Sequence, residues 1–487
     1  MQNRIAALFF GLIFAGLFAF KMGWLQAGPA PETAAPPPST DAFTPHSRWM
    51  NIYQQDTKIG YAHSAVDRER DGLVFTESVV MSVNTMGLVH NLAIRSSGHL
   101  AVDFSLQSFE FELNSGRFDF TARGTIRDDQ LVVTTGDADT GQSFTLDLQE
   151  KIYFTSGALL RAALSPLNTG DRLTLNIFDP VTMGSEPVVL TVLGKETIPV
   201  MDRPQPATRV SLSYRGAVQE AWIGADGDIL KETGLMGIRL EKTTRADAVT
   251  APAEAPTQDL TRFVSIPVAD DLSDAAALRR LVIAVGGIEN PAHLFDGGRQ
   301  HFRDERLIIV KEDPPDKQAA AASPVLPSDK AEFLASTPFI QSEHPLIRRL
   351  AGDITAHAEN PVAQVEHILD WMHRHIRRRP VVSLPDALST LKNRMGDCNE
   401  HAVLFAALCR ASGIPCRVDA GVVHLNGRFY YHAWNQVFVG RWITVDALMQ
   451  QFPADVTHIR LAGGDGQDTL NILATIGRLQ LTIVDRR

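Results

Sequence analysis

The chain contains the stretch Gly396-Asp397-Cys398-Asn399-Glu400-His401 immediately before an apolar segment. That segment, residues 402–411, is rich in Ala and Leu and predicts a buried helix. Cys398 then lies in the first turn of the helix, where unpaired backbone N–H groups and the positive end of the helix dipole favour a thiolate. Because the thiolate is the form of cysteine that attacks carbonyl groups, Cys398 is a candidate nucleophile.

A hairpin is predicted directly after this helix. Gly413 and Pro415 are typical of a helix end that is followed by a break. Residues 416–424 and 429–438 are β-rich, and Asn426-Gly427 between them is a common pair in two-residue turns. The sequence therefore predicts that the helix leads into two antiparallel strands.

A second turn brings a histidine near an aspartate. The strand that carries His432 turns near Val439 and Gly440 into residues 442–446, which end on Asp446. Antiparallel pairing across such a turn places His432 opposite Asp446 or close to it, on one face of the sheet. The aspartate can then orient the histidine, which can act as base for a thiol and as acid for a leaving group.

These motifs resemble the transglutaminase-like superfamily of papain-like thiol enzymes. The matching segments lie in about the last third of the chain and are Gly396-Asp397-Cys398, residues 408–417, His432-Ala433-Trp434 and residues 441–446. The resemblance implies that Cys398 is the nucleophile, His432 the general base and Asp446 the orienting carboxylate. Ala447-Leu448 follow the aspartate where many members of the family have proline, so the loop after it is expected to differ.

The resemblance also implies an activity. We expect an enzyme that acts on amide bonds of a protein or peptide through a thioester on Cys398, with water as acceptor, as in a protease or amidase. Transfer to an amine, as in a cross-linking transglutaminase, is the alternative. The competing class is a non-catalytic envelope scaffold or binding protein. Trp434 and Trp442 are candidate substrate-binding residues, although a plain core position suits each of them about equally well.

No cofactor and no metal site are expected. Cys398 and His401 have a Cys-x-x-His spacing, but a second pair of ligands at a standard zinc spacing is missing. The three cysteines allow one bridge, between Cys409 and Cys416, or two free buried thiols there, which we favour. A net charge of −10, without a basic stripe that carries aromatic residues, argues against nucleic-acid binding.

Residues 1–27 predict a membrane anchor or an export signal. An uncharged run of residues 5–20 follows Arg4, and its length lies between a signal-peptide core and a comfortable transmembrane helix. Trp24 is a suitable interfacial anchor. We expect a single uncleaved pass in the cell inner membrane with periplasmic domains, and the alternative is cleavage and secretion to the periplasm. The Pro- and Ala-rich residues 28–45 predict a linker.

The rest of the chain predicts three folded segments. Residues 46–245 show short runs typical of antiparallel strands, with one helix at residues 156–163. Residues 258–312 contain three strand-like runs that predict a small sheet, and residues 331–487 place helices before strands. The expected fold class is α+β, with a papain-like transglutaminase core at the C-terminus, preceded by an antiparallel all-β domain and the N-terminal membrane or signal segment.

Overall fold

The structure is a computed structural model that describes residues 44–487 with short internal gaps. The gaps are residues 71, 117, 137–140, 166, 181–182, 215–216, 235–236, 253–257, 270–271, 273, 289–294, 318–327, 464–471 and 473–474. The predicted membrane or signal segment and nearly all of the predicted linker lie outside the described residues. Among the helices of the described part, we find none that is both long and apolar enough to cross a membrane. The described residues divide into two compact units, 44–260 and 261–487.

The first unit is built on one long sheet of fifteen strands. The strands are β1 His46–Gln54, β2 Thr57–Glu69, β3 Gly72–Thr85, β4 Leu88–Leu100, β5 Leu106–Ser115, β6 Phe118–Arg127, β7 Gln130–Thr135, β8 Gln142–Asp147, β9 Ile152–Tyr153, β10 Arg172–Asp179, β11 Gly184–Val200, β12 Arg203–Tyr214, β13 Ala217–Gly224, β14 Ile229–Thr233 and β15 Ile238–Thr243. Their order is β8 to β1, then β15 back to β9, so chain neighbours are mostly sheet neighbours. Every described pair is antiparallel except β9 with β10. The prediction of an antiparallel β-rich region is confirmed.

Alternation of apolar and polar residues gives this sheet a buried face. In β3 the buried positions are the odd-numbered ones, among them Phe75 and Val83, as expected when one face of a strand packs inward. The Phe75 ring meets that of Phe154 at 5.2 Å, just before helix α1, Thr155–Leu164. This helix confirms the one predicted at residues 156–163.

The remaining elements are mostly short and lie mainly in the second unit. The helices are α2 Arg245–Ala248, α3 Leu260–Val264, α4 Pro345–Thr355, α5 Pro361–His375, α6 Ala387–Asn393 and α7 Cys398–Ala411, with a 3₁₀ helix at Ser328–Leu334. The strands are β16 Ile266–Pro267, β17 Arg280–Gly286, β18 Gln300–Arg303, β19 Arg306–Val310, β20 Arg377–Arg378, β21 Met395–Gly396, β22 Cys416–Leu425, β23 Arg428–Phe438, β24 Trp442–Val445, β25 Ile459–Gly463 and β26 Gln480–Arg486.

Helix α7 lies in the core of the second unit. Its residues from Ala402 to Cys409 are nearly all buried, and they pack with apolar side chains of α4, α5 and the strands β22 to β24. The start of helix α5 is stabilised by a cap: the Asn360 side chain accepts a hydrogen bond from the Ala363 amide at 3.0 Å. Within residues 331–487 the helices precede strands β22 to β26, in the order predicted for an α+β domain, while the described chain as a whole is mostly β with few helices.

Three small sheets complete the unit. One has the order β16-β23-β22-β25, with β24 also paired to β23, and the second has the order β18-β19-β17-β26. The third is the parallel pair of β20 with β21. The prediction that the three strands of residues 258–312 make one sheet is therefore partly wrong. Strand β16 pairs with β23 instead, through Ile266 and Phe429, because the edge of β23 beyond the end of β24 offers unpaired backbone groups.

Candidate active site

A capping box holds the start of α7. The Asp397 side chain accepts from the Asn399 amide at 2.9 Å, and Glu400 Oε2 accepts from the Asp397 amide at 2.9 Å. The Ser383 hydroxyl donates to the other oxygen of Glu400. These bonds satisfy amide groups that the first turn of a helix leaves without partners. They also hold Cys398, the first residue of α7, in one place.

Cys398 lies beside the middle of β23. On one side of β23, strand β24 pairs with residues 435–438 and β16 with residues 428–429, so that residues 430–434 lie between the two paired segments. The Ala433 amide in this middle segment donates a hydrogen bond to the Cys398 sulfur. The sulfur is thus held next to the residue that follows His432.

The surroundings of Cys398 favour its neutral thiol over the thiolate. The residue is only 1% exposed, and burial raises the pKa of the thiol well above its usual value. The carboxylates of Asp397 and Glu400 raise the pKa further, while the Ala433 amide opposes them. Loss of solvation therefore opposes the thiolate that the start of the helix was predicted to favour.

His432 and Asp446 are in contact, as their spacing suggested. The last ladder pair of the hairpin is Asn435 with Val445, so Asp446 comes level with Trp434, diagonally across from His432. His432 Nε2 donates to Asp446 Oδ2 at 2.6 Å, and both side chains are fully buried. The Nδ1 atom of His432 is buried and has no hydrogen-bond partner. This arrangement leaves Nδ1 available as a base.

A second histidine, which the sequence analysis missed, shares the same carboxylate. His458 Nε2 donates to Asp446 Oδ2 at 2.9 Å, and His458 Nδ1 donates to Asp455 Oδ1 at 3.3 Å. Both ring nitrogens therefore face carboxylates, which is the arrangement of an imidazolium. The sequence signal was weak: three polar residues, Asp455, Thr457 and His458, lie just before a strand that was not predicted, without a regular spacing.

The charges of this cluster follow from its contacts. Burial lowers the pKa of His432, although Asp446 opposes this effect. Burial also acts against a charge on His458, but Asp455 and Asp446 together raise its pKa to about 9. The two imidazoles hold the pKa of Asp446 well below its usual range in spite of burial. At neutral pH the cluster thus contains a neutral His432, a cationic His458 and two carboxylates.

The same three side chains could bind a metal ion. His432, Asp446 and His458 each offer a ligand atom, and these atoms lie within 4.8 Å of one another. Two imidazoles and a carboxylate suit zinc or iron(II). However, the Nε2 atoms of His432 and His458 each already donate a hydrogen bond to Asp446 Oδ2. A metal ion bound by these atoms would break both hydrogen bonds. We therefore interpret the cluster as hydrogen-bonded.

The two predicted substrate-binding tryptophans line one cavity of about 320 Å³. Trp434 is buried, and its ring lies 5.9 Å from that of His432 and 5.2 Å from that of His458. Trp442 is half-buried and carries the guanidinium of Arg417 4.8 Å from its ring centre. The cavity lining includes His458 but neither Cys398 nor His432. The cavity therefore adjoins Trp434 and His458, whose rings lie 5.9 and 5.6 Å from the ring of His432.

Other polar side chains near α7 have structural partners. His401 Nδ1 donates to the Asp397 carbonyl at 2.7 Å, and burial lowers the pKa of His401 to about 4. It is therefore neutral. Cys409 and Cys416 are free thiols in hydrogen-bond contact, which confirms the interpretation that they are not bridged.

The site thus combines a buried thiol at a helix start with a neighbouring strand that carries a histidine bonded to an aspartate. Residues 348–447 match the family model of the transglutaminase-like superfamily. The C-terminal third of the chain thus contains a transglutaminase-like domain, as the sequence resemblance implied. The matched range includes Cys398, His432 and Asp446 and ends before His458.

Comparison with known proteins gives partial relatives. The chain is 27% identical over 129 residues to the kyphoscoliosis peptidase of Mus musculus, which is 23% of this chain and 19% of that protein. The chain thus spans about a fifth, 19%, of the length of this curated relative.

Two solved structures have low similarity. A candidate cysteine protease from Cytophaga hutchinsonii shares 19% identity at a TM-score of 0.29, over 43% of this chain and 84% of the other. A β-barrel-like protein of a domain family of unknown function from Brucella abortus shares 11% identity at a TM-score of 0.33, over 41% and 96%. These scores are too low to support a functional comparison.

Proposed function

We propose that this protein is a cysteine enzyme that hydrolyses amide bonds in proteins or peptides through a triad of Cys398, His432 and Asp446. The observation that carries the proposal is the imidazole of His432. Its Nε2 is bonded to Asp446 while its buried Nδ1 has no hydrogen-bond partner, and the next residue, Ala433, bonds the Cys398 sulfur. This is the layout of a base held by a carboxylate beside a thiol.

The proposed reaction starts from a neutral pair. As the sulfur forms a bond to the substrate carbonyl carbon, the thiol proton moves to His432 Nδ1. The C–N bond then breaks, and the leaving amine takes the proton from Nδ1, which leaves a thioester on Cys398. Water attacks the thioester and gives a proton to Nδ1, the C–S bond breaks, and the sulfur regains the proton. Backbone amides at the start of α7 would stabilise the oxyanion.

Hydrolysis is preferred over amine transfer on two grounds. The curated relative is named a peptidase, and Cys398 is 1% exposed, which favours the smallest acceptor, water. Trp434 and Trp442 are proposed to contact the substrate from the neighbouring cavity. The residual alternatives are a cross-linking transglutaminase and a non-catalytic scaffold.

The location of the protein is also a proposal. We propose that residues 1–27 anchor the chain in the cell inner membrane and that the folded units face the periplasm. The support is the uncharged run of residues 5–20 followed by the Pro- and Ala-rich linker. Protease protection in spheroplasts would test it, because externally added protease should digest the folded units only if they lie outside the inner membrane.

The activity can be tested without knowing the substrate. The full chain, purified in detergent, is incubated with a peptide library from a cell lysate and with dansylcadaverine. Mass spectrometry then counts new peptide termini, glutamine side chains converted to glutamate, and cadaverine adducts. We expect hydrolysis products from the wild type and a loss of at least about 10³-fold in Cys398→Ala, because no other group supplies the nucleophile.

Matched controls separate the alternatives. Cys409→Ala removes another buried thiol of α7 and should keep the activity. Adducts in excess over hydrolysis products would favour the cross-linking enzyme. Full activity in Cys398→Ala would contradict the proposed nucleophile. Absence of all products, together with a Cys398→Ala chain that replaces the wild type in cells, would favour the scaffold.

A further inference from the structure

The Asp446 carboxylate has more partners than one catalytic imidazole requires. Its Oδ2 accepts from His432 Nε2 at 2.6 Å and from His458 Nε2 at 2.9 Å. Its Oδ1 accepts from the Met449 amide at 2.7 Å. Since these side chains of Asp446, His432 and His458 have no exposed surface, protein groups alone decide how the carboxylate is oriented.

His458 is held firmly on its other side. Its Nδ1 bonds Asp455 Oδ1, and the same oxygen accepts from the Thr457 amide at 2.8 Å and the Thr457 hydroxyl at 2.6 Å. The second oxygen of Asp455 accepts from Gln451 Nε2 at 2.9 Å. His458 is thus a cation fixed between two oriented carboxylates.

An arginine in the turn before β18 holds the segment that carries His458. The Arg299 guanidinium donates to the carbonyl groups of Ala454, Asp455 and His458 at 2.7, 2.8 and 3.1 Å. The Arg299 side chain is only 8% exposed. Three carbonyl bonds from one buried guanidinium fix the backbone of this segment, and therefore the place of the His458 ring.

The same arginine is tied to the strand that leads to Asp446. Arg299 pairs with Glu312 at 3.0 Å. Glu312 Oε1 accepts from the amide and the hydroxyl of Thr444 in β24, at 3.0 and 2.8 Å. The two ends of the His458–Asp446 bond are thus connected through one buried ion pair.

We propose that His458 is a positioning residue for the triad. Its imidazolium holds the Asp446 carboxylate for His432 and offsets part of the negative charge, so that His432 remains a neutral base. The inference rests on the function proposed above. In this proposal His458 acts on the reaction only through its bond to Asp446.

The charged surroundings of His458 agree with this role. Beyond Asp446, Asp455 and His432, the ionisable groups around it are the Arg299–Glu312 pair and the charged groups of the neighbouring cavity, which are Asp419, Arg460, Arg441, Lys311 and Asp313. Burial raises the pKa of Asp419. The groups bonded to the His458 ring are Asp446 and Asp455. Removing the charge of His458 would leave both carboxylates without the cation that lies between them.

Two variants separate the bond from the charge. His458→Gln keeps an N–H that can reach Asp446 but has no charge, whereas His458→Ala removes both. In the full chain, hydrolysis of the most active library peptide is followed across pH. We expect kcat to fall by about 100-fold in His458→Ala with little change in KM, because a displaced base misses the thiol. His458→Gln should recover most of kcat.

The pH profile distinguishes positioning from mere stability. Without the cation, the full charge of Asp446 favours protonated His432, so the acidic limb of kcat/KM should move to higher pH in His458→Gln. His357→Gln, the same change at an exposed histidine, is the control and should leave the profile unchanged. Variants that lose stability but keep the wild-type limb and kcat would overturn the proposal. Loss of wild-type activity in EDTA that returns with Zn²⁺ would also overturn it.

A substrate-free measurement keeps this inference separate from the proposed function. In the chain labelled with ¹⁵N-histidine, the His432 signal is assigned by its absence in His432→Gln and titrated with pH. A higher titration midpoint in His458→Gln than in the wild type supports the role of His458, even if no peptide is hydrolysed. An unchanged midpoint contradicts it, even if the wild type is an active hydrolase.

Discussion

At the residue scale, the two histidines on Asp446 differ in charge because their second nitrogens face different groups. His458 Nδ1 meets the carboxylate of Asp455, so both of its nitrogens donate. His432 Nδ1 meets no hydrogen-bond partner. At neutral pH one carboxylate therefore binds a cationic and a neutral imidazole, two states that a single imidazole could not hold at the same pH.

The charge of His458 should make stability depend on pH. Its pKa of about 9 in the folded chain is above the ordinary 6.5, so its stabilisation is complete below pH 6.5 and is lost as pH rises through 9. We expect the wild type to lose about 2 to 3 kcal/mol of unfolding free energy between pH 6.5 and 9, relative to His458→Gln. Urea denaturation at both pH values, followed by tryptophan fluorescence, measures this difference. Parallel losses in the two proteins would show that His458 carries no charge.

The sequence pointed to Cys398, His432 and Asp446 as candidates but missed His458, for a physical reason. Cys398, His432 and Asp446 lie in or beside strong local patterns, a helix start and a tight hairpin. His458 reaches Asp446 only because β25 returns to pair with β22. Pairing between strands that are distant in sequence leaves little trace in a short segment, so this contact could not be predicted.

At the element scale, β22 and β25 approach so closely that one position has no room for a side chain. The register between the two strands shifts between Ala420 and Gly421. A Cβ atom on Gly421 would lie 1.9 Å from the Ile459 carbonyl oxygen and 2.9 Å from the Trp434 ring. The glycine therefore allows β25 to bring the residue before Ile459, which is His458, to the site.

Gly421→Ala should disturb the fold and the site together. The methyl group has to push β25 away, and we expect a loss of about 1 to 3 kcal/mol of stability. The midpoint temperature of thermal unfolding and the rate of peptide hydrolysis should both fall. Gly352→Ala is the control, because its Cβ would meet no atom within 4 Å in helix α4, and it should stabilise by up to about 1 kcal/mol. A Gly421→Ala chain as stable as the wild type would mean that β25 is not held as described.

The elements that were predicted well are those with a clear local signal. Helix α7 and the hairpin of β22 and β23 follow from an apolar run, a capping residue and an Asn-Gly turn. Strand β16 has two residues, Ile266 and Pro267, and its partner lies far along the chain. Such a short segment has no periodicity of its own, so its place in the sheet depends on the free edge it meets.

At the scale of the whole molecule, the last strand, β26, pairs with β17, a strand that lies about two hundred residues earlier, near the middle of the chain. Strand β26 pairs with β17 from Leu281 with Arg486 to Gly286 with Gln480. Arg280 and Asp485 add an ion pair at 3.0 Å. The C-terminus is therefore part of the second unit's structure.

Deletion of residues 480–487 should weaken the second unit selectively. It uncovers the edge of β17, whose Leu281 and Ile283 are fully buried. We expect hydrogen exchange to become faster in β17 and β19, while the amides of the fifteen-stranded sheet keep their protection because that sheet belongs to the other compact unit. Val484→Ser, at an exposed position of the same strand, is the control. Equal loss of protection in both units would show that they unfold together.

The burial of Cys398 also has a kinetic consequence. With 1% of the residue exposed, a reagent or substrate can reach the sulfur only while neighbouring groups have moved aside. When the covering groups reclose faster than the reagent reacts, the rate of modification is proportional to reagent concentration. When they reclose more slowly than the reagent reacts, the rate of modification levels off at the rate of opening. The labelling rate of Cys398 therefore reports how often the groups that cover it move aside. Slow labelling would reflect rare opening of the domain and not a weakly nucleophilic sulfur.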